Sequence, residues 1–442
     1  MFRMINPVRE YAWGSTTAFS ELFGWAASAT PRAEIWMGAH PGDPSSLELH
    51  DGSAGGAAEV VELPDYLEQT GETPGSFPFL LKVLAAEQPL SIQSHPTQER
   101  AQSGFAAEEA AGLALDSPLR SYKDPNSKPE LIVALTEFSA LCGFRPYAET
   151  AAELSELADA VRQARVTPAG MTPAGVRTGE SDGAEHLSRL LEQLLRHVLA
   201  EDYTSALELL VRSGREQASS AAGELSALLE ADELPGFRAR SDALEMLQQV
   251  SAAFPQDPGI FVTLLLNRLT LQPGESIYLP AGNLHAYLHG VGVEIMANSD
   301  NVLRGGLTSK HLDVDELLSV TDCEVLPVPH CPVEKTDTQL RTEGTPRRTR
   351  YQAPFEEFQL ELLEFPGEIT LDHPGHGIVL CTSGVLAVDS PDSETPRMLT
   401  LAPGESAFLP HTSGHRLFSA AHAQAFVATT TILSPDQEHP RP

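Results

Sequence analysis

Between Phe79 and Arg145 the apolar residues come in short runs, Leu80-Leu81-Lys82-Val83-Leu84 and Leu131-Ile132-Val133-Ala134-Leu135, cut by Pro and Gly. That pattern predicts β-strands joined by turns. The character changes after Pro146. Ala-, Leu- and Glu-rich sequence continues to about Pro255, and Leu187, Leu190, Leu191, Leu194, Leu195 and Val198 recur at the spacing of one helix face. Strand-type sequence resumes at Gly259 and runs to about Ala297. A β unit split around a helical insertion is the expectation. Inside the insertion, Thr167-Pro168-Ala169-Gly170 recurs as Thr172-Pro173-Ala174-Gly175, a low-complexity loop expected to lack regular structure. The polar stretch from Glu334 to Arg350, with its basic run Arg347-Arg348-Thr349-Arg350, reads as a solvated connector.

Beyond that connector the chain repeats itself. Leu271-Gln272-Pro273-Gly274-Glu275-Ser276-Ile277-Tyr278-Leu279-Pro280 is echoed by Leu401-Ala402-Pro403-Gly404-Glu405-Ser406-Ala407-Phe408-Leu409-Pro410, and the same shift carries His285 onto His415. A Pro-Gly-Glu turn, a short strand, Pro and then His resembles the pattern of a cupin barrel, a small double-sheet jelly roll. The expected fold class is mostly β with a helical insertion: two cupin-like jelly-roll barrels plus an α-helical domain. Residues 1–146 and 259–330 would form the first barrel, 147–258 the insertion, and 331–442 the second barrel.

Composition narrows the function. With 442 residues the chain is long enough for two or three domains. No apolar run approaches the roughly 20 residues of a membrane-spanning helix, and the opening Met1-Phe2-Arg3-Met4-Ile5-Asn6-Pro7 lacks a secretory pattern, so the expected location is cytoplasmic. Sixty-one acidic against 29 basic residues give a formal charge of −32, which repels nucleic acid and acidic membranes alike. An anionic substrate would then need a local basic pocket, which makes each Lys and Arg near the motifs informative. Cys142, Cys323, Cys331 and Cys381 lack the CxxC spacing of zinc or redox motifs and read as buried free thiols.

In Leu90-Ser91-Ile92-Gln93-Ser94-His95-Pro96, alternation places Ser91, Gln93 and His95 on one face and Ile92 and Ser94 on the other. Glu130 opens a strand after Asn126-Ser127-Lys128-Pro129, and His285 follows the Pro280-Ala281-Gly282 turn. Two imidazoles, one carboxylate and one amide oxygen suit zinc or another divalent first-row ion. A lone strand histidine is more often a satisfied polar residue than a ligand, and only the combination with cupin-like sequence favours a metal. In Val293-Glu294-Ile295-Met296-Ala297-Asn298, Glu294, Met296 and Asn298 share a face. The loop beyond carries Asp300, Arg304 and Lys310 around Gly305-Gly306, either a sugar-phosphate site or an ordinary ion-paired loop.

At this point the residues resemble the type I mannose-6-phosphate isomerase family. The resemblance rests on separated blocks: Tyr11-Ala12-Trp13-Gly14, Ala33-Glu34-Ile35-Trp36-Met37-Gly38-Ala39-His40-Pro41, Gln93-Ser94-His95-Pro96, Tyr122-Lys123-Asp124 to Glu130, Tyr278 to Tyr287, and Met296 to Arg304. They span residues 1 to about 320. The resemblance implies one zinc ion per chain bound by Gln93, His95, Glu130 and His285, and a catalytic role for Arg304. It makes Lys128 and Asp300 acid/base candidates and turns Lys82, Ser91, Tyr287, Glu294 and Lys310 toward the substrate or its phosphate. The implied activity interconverts mannose 6-phosphate and fructose 6-phosphate by proton transfer between C1 and C2 through an enediolate. In one place the sequence departs from the family, which commonly has His where Ser127 stands.

Two alternatives stand beside that reading. Two His and one carboxylate also describe a non-haem iron cupin oxygenase, and a sugar-phosphate sensor would need the pocket without proton chemistry. The expected partner is a small sugar phosphate, with no nucleic acid and no membrane, and the expected state a monomer or weak homo-oligomer. In the second barrel, His415 matches His285 and His373-Pro374 loosely matches His95-Pro96, but Leu371 stands in place of Gln93, so that barrel is expected to be structural.

Overall fold

A computed structural model describes residues 1–49, 59–72, 74–166, 182–237, 241–335, 346–371, 375–390, 397–410 and 414–430. The Thr167 to Gly175 repeat and His373-Pro374 lie outside them. Strand accounts for 33% and helix for 31%, so the mostly β expectation is corrected to a mixed fold of largely antiparallel sheets. Part of the excess helix lies in the region read as strand. Helix α1 (Gln98–Ala110) is built mostly from Ala, Glu and Gln, and the Thr97 side chain accepts a hydrogen bond from the Arg100 N–H at its start.

Ten strands form the sheet that carries the predicted site. They are β1 (Val8–Arg9), β2 (Glu34–Gly38), β3 (Phe79–Ala86), β4 (Ile92–Ser94), β5 (Glu130–Ala134), β6 (Phe138–Phe144), β7 (Leu266–Leu271), β8 (Ser276–Leu279), β9 (His285–Ala297) and β10 (Leu303–Gly306). The long strand β9 holds the sheet together. Its first half pairs with β4 and β6, its second half with β3 and β5. Between the halves the register with β6 slips at Tyr287/His289, and Gly290 adopts φ 116°. A Cβ on Gly290 would stand 2.5 Å from the Glu137 carbonyl, so only glycine fits this bend.

The outer faces of the two halves bury different partners. Ile92, Leu141, Leu284, Ala286, Leu288 and Leu303 pack against helices α2 (Tyr147–Val166), α3 (Asp182–Leu199), α4 (Arg215–Glu230) and α5 (Ser241–Ala253). On α3 the predicted stripe is buried at Leu187, Leu190, Leu191, Leu194 and Val198, with Leu195 partly buried beside them, and each large, fully buried apolar side chain contributes about 1.5–3 kcal/mol. Leu81, Val83, Leu131, Val133, Val293 and Ile295 pack instead on Ile378, Leu380, Phe408 and Phe426 of a second, nine-stranded sheet. That sheet also takes in the N-terminal strands Phe2–Ile5, Ser46–Leu49 and Glu59–Glu62.

The internal repeat is structural as well as sequential. Gly274 and Gly404 take φ 87° and 83°, and the carboxylates of Glu275 and Glu405 each accept the N–H three residues back, at 2.8 Å. The basic run is not the connector expected. Arg347–Tyr351 is a strand paired with Gln359–Glu364, and Arg348 and Arg350 bracket Glu361 at 2.8 and 2.7 Å. Glu361 and Glu364 on the facing strand offset the charge of the run and let it pair. Cys142, Cys331 and Cys381 are buried thiols, Cys323 is partly buried, and all four are free.

Candidate metal centre

Alternation on β4, β9 and β10 turns one row of side chains inward. Gln93 stands directly opposite His285 on one side and Arg304 on the other, so all three share the inner face while Ile92, Ala286 and Leu303 go outward to the helices. His95 follows β4, and the Gly282 N–H donates to its carbonyl at 2.9 Å, tying the turn before His285 to the strand end. Gly282, at φ 82°, makes that turn possible. Glu130 enters from β5, opposite Leu279 and Met296.

His95, Glu130 and His285 converge, with one ligand atom of each within 4.8 Å of the others, and they are 1%, 2% and 0% exposed. The Glu130 carboxylate lies 3.3 Å from His95 Nε2 and 3.5 Å from His285 Nε2. Each ring is oriented from behind: His95 Nδ1 meets the Asn301 carbonyl at 2.8 Å, and His285 Nδ1 the Asn283 carbonyl at 3.0 Å. Nδ1 therefore carries the proton, leaving two bare Nε2 lone pairs aimed at a carboxylate. Among the described residues, His95 Nε2, His285 Nε2 and Glu130 Oε2 have no hydrogen-bond partner. Buried polar atoms in that state are costly, and a divalent cation among them satisfies all three. The residues fit a metal.

Burial pushes the His95 imidazole down to about 4, outweighing the opposite pull of Glu130, so it stays neutral and able to ligate. Glu130 is held well below the usual carboxylate range. Burial opposes its charge, but Lys128, with Nζ 2.9 Å from Oε1, and then His95 prevail. Cys142, on the same row beyond His285, is pushed up to about 12 by burial and remains a thiol.

A second buried cluster adjoins the first. Lys82 Nζ lies 3.1 Å from Glu294 Oε2, 3.6 Å from Glu34 Oε1 and 5.5 Å from the Trp36 ring centroid. Trp36 Nε1 donates to Glu34 at 2.9 Å and the Tyr287 hydroxyl to Glu294 at 2.8 Å. Burial disfavours the Lys82 ammonium, yet Glu34 and Glu294 raise its pKa; burial lifts Glu294 and, more strongly, Tyr287. Arg304 is half-buried and Lys310 lies near enough to feel its charge; desolvation lowers both, and neither has an anionic partner among the described residues. Asp300 is 53% exposed and lies 3.6 Å from His40 Nε2. Ser91 sits just before β4 on the Gln93 side. The Ser127 hydroxyl and N–H are both directed at Gln98 Oε1, at 3.1 and 2.9 Å.

Sequence reasoning gave no role to Glu34, His40 or Asn301. Glu34 and Trp36 do alternate with Ile35 and Met37, which marks a charged residue on the inner face of an otherwise apolar strand. Nothing in the sequence marks His40 or Asn301 as facing a site.

The fold and the site thus define, among the described residues, a buried His95, Glu130 and His285 group able to hold a divalent metal, with Arg304 and Lys310 nearby and without anionic partners there. The profile of the phosphomannose isomerase type I catalytic domain matches residues 1–147. Mannose-6-phosphate isomerase of Escherichia coli K12 is 36% identical over 422 residues, covering 92% of this chain and 94% of that protein. The Homo sapiens enzyme of the same name is 32% identical, covering 90% of each chain. The crystal structure of the Salmonella typhimurium enzyme bound to fructose 6-phosphate and zinc superposes with a TM-score of 0.76, at 32% identity, over 98% of this chain and all of that one. The chain belongs to the type I mannose-6-phosphate isomerase family.

Proposed function

We propose that this chain interconverts mannose 6-phosphate and fructose 6-phosphate, moving a proton between C1 and C2 of the open-chain sugar through an enediolate. The observation that carries the reading is the pair of bare Nε2 atoms converging on buried Glu130, near Arg304 and Lys310, which lack an anionic partner among the described residues. One zinc ion, held by His95, Glu130 and His285 with Gln93 as fourth donor, would supply Lewis acidity toward a sugar carbonyl or hydroxyl oxygen.

The chain's own residues do the rest. Arg304, inward on the same row as Gln93 and His285, provides fixed positive charge for the developing enediolate oxygen. Lys128 and Asp300 exchange protons with the sugar. The Lys82, Glu294 and Tyr287 network, with Ser91, holds the sugar hydroxyls, and Lys310 takes the phosphate as its counter-charge. The named relatives are isomerases, which favours this chemistry over an oxygenase or a sensor.

We also read the β units as two cupin-like jelly rolls, 1–146 with 259–330 and then 331–442, around a helical unit at 147–258. The turn-strand repeat supports that division, with the N-terminal strands stitching the β units together. A cytoplasmic monomer or weak homo-oligomer is our reading of the cellular state, supported by the charge of −32. No helix among the described residues is long and apolar enough to cross a membrane.

The test is a coupled assay of purified protein on fructose 6-phosphate, with metal analysis before and after chelation. Turnover lost in chelator and regained with zinc supports the reading. Absence of conversion in the zinc-loaded protein rejects it.

A further inference from the structure

His40 belongs to a sequence block that the isomerase reading leaves without a role. It follows β2, is 2% exposed, and stands edge-on to Trp36 with ring centroids 5.0 Å apart. The Gly42 N–H donates to its Nδ1 at 3.1 Å, so in the neutral ring the proton sits on Nε2, which faces Asp300 Oδ1 at 3.6 Å. Burial holds the imidazole below its ordinary pKa. Asp300 and Asp124 pull it up, and Lys82 and Lys128 push it down. It is therefore a neutral donor rather than a cation.

Asp300 faces that donor. Its N–H donates to Asp124 Oδ2 at 2.8 Å, which pins the main chain and sets a second carboxylate nearby. Among the described residues, no side chain other than His40 pairs with the Asp300 carboxylate. At 3.6 Å the contact is longer than a hydrogen bond, as catalytic contacts often are before substrate binds. Ser127 offers no imidazole, and its hydroxyl is taken by Gln98.

We infer that His40 is a positioning residue for Asp300, donating from Nε2 to one carboxylate oxygen so that the other is aimed at the sugar. The inference rests on the isomerase reading above, within which Asp300 exchanges a proton with the substrate. Glutamine at position 40 can place an N–H where Nε2 lies, and asparagine cannot reach it.

The experiment compares zinc-loaded wild type, His40→Asn, His40→Gln, Asp300→Asn and the His40→Asn/Asp300→Asn double variant, with zinc content and kcat and KM for fructose 6-phosphate measured on each. The expected result is a fall in kcat of about tenfold to a hundredfold in His40→Asn with KM within about twofold, and recovery to within about threefold of wild type in His40→Gln. The double variant is expected to be no slower than Asp300→Asn alone. The inference is overturned if the asparagine and glutamine variants are equally active, or if the losses of His40→Asn and Asp300→Asn multiply in full. Should His40→Asn fold poorly, the glutamine variant still decides: kcat far below wild type in a zinc-replete His40→Gln overturns the inference. Failure of the isomerase reading is seen separately, as a wild-type protein without turnover.

Discussion

Lys82 and Glu294 lie 212 positions apart and meet at 3.1 Å in the interior, where Glu34 approaches the same ammonium at 3.6 Å. One cation thus serves two buried carboxylates, with Tyr287 and Trp36 completing their hydrogen bonds. Replacing Lys82 with Met leaves both carboxylates without a counter-charge. It is expected to destabilise the fold by about 3–5 kcal/mol in urea unfolding. Adding Glu294→Gln should return part of that loss, so the double variant falls short of the sum of the single ones.

Arg304 presents the opposite situation. It is desolvated, near Lys310, and without an anionic partner among the described residues, which is the state the role proposed for it requires. Arg304→Ala is expected to lower kcat by about 10²- to 10³-fold with zinc retained and the melting temperature undiminished. Lys310→Ala should instead raise KM for the sugar phosphate with a smaller change in kcat. Near-normal turnover in a zinc-loaded Arg304→Ala protein would withdraw the role given to that residue.

For the metal-free protein, His95 sets a pH dependence. Its pKa falls from 6.5 in the unfolded chain to about 4 in the fold, so between those values the unfolded state binds more protons. Stability is full above about pH 6.5 and declines as pH drops toward 4, by about 3 kcal/mol at ~1.4 kcal/mol per pH unit. Urea midpoints of chelated protein at pH 7, 5.5 and 4.5 check the sign. His95→Gln should flatten that part of the profile, and an unchanged slope would assign it to other groups.

Asn301 ties the proposed metal ligand His95 to the loop that precedes Glu130. Its carbonyl meets His95 Nδ1 at 2.8 Å, while its side chain accepts from the Lys123 N–H at 2.7 Å and donates to the Asp124 and Asn126 carbonyls at 2.8 and 2.9 Å. The same amide thus fixes the loop that delivers Lys128 and Glu130. Asn301→Asp keeps the acceptor, loses both donors and faces Asp124 with a like charge. Zinc affinity, measured by chelator competition, is expected to weaken about 10- to 100-fold, and the cobalt-substituted protein should show a shifted visible spectrum.

Legibility in the sequence followed the range of each interaction. The helix stripe at Leu187 to Val198, the inward face of Gln93 and His95, and the repeated Pro-Gly-Glu turns are periodic or local, and they stand in the structure where alternation and turn chemistry put them. The basic run from Arg347 to Arg350 reads as a connector in the sequence because Glu361 and Glu364, which pair with it, lie on another strand. Helix α1 was absorbed into a β region because Pro and Gly around it signal turns without saying what lies between.

By itself the sequence determined which side of each short strand carries chemistry, since alternation is set by the pleat and needs no distant contact. Only the tertiary structure decided which of those sides meet. Tyr287 and Glu294 have opposite parity on one strand, yet they share the inner face because β9 slips register after Tyr287 and bends at Gly290. The pairing of Lys82 with Glu294, of His95 with Asn301 and of His40 with Asp300 likewise depends on strand register across the folded sheet and on loops packed against it. Register is fixed by the summed burial of both outer faces, a non-local quantity that no window of sequence contains.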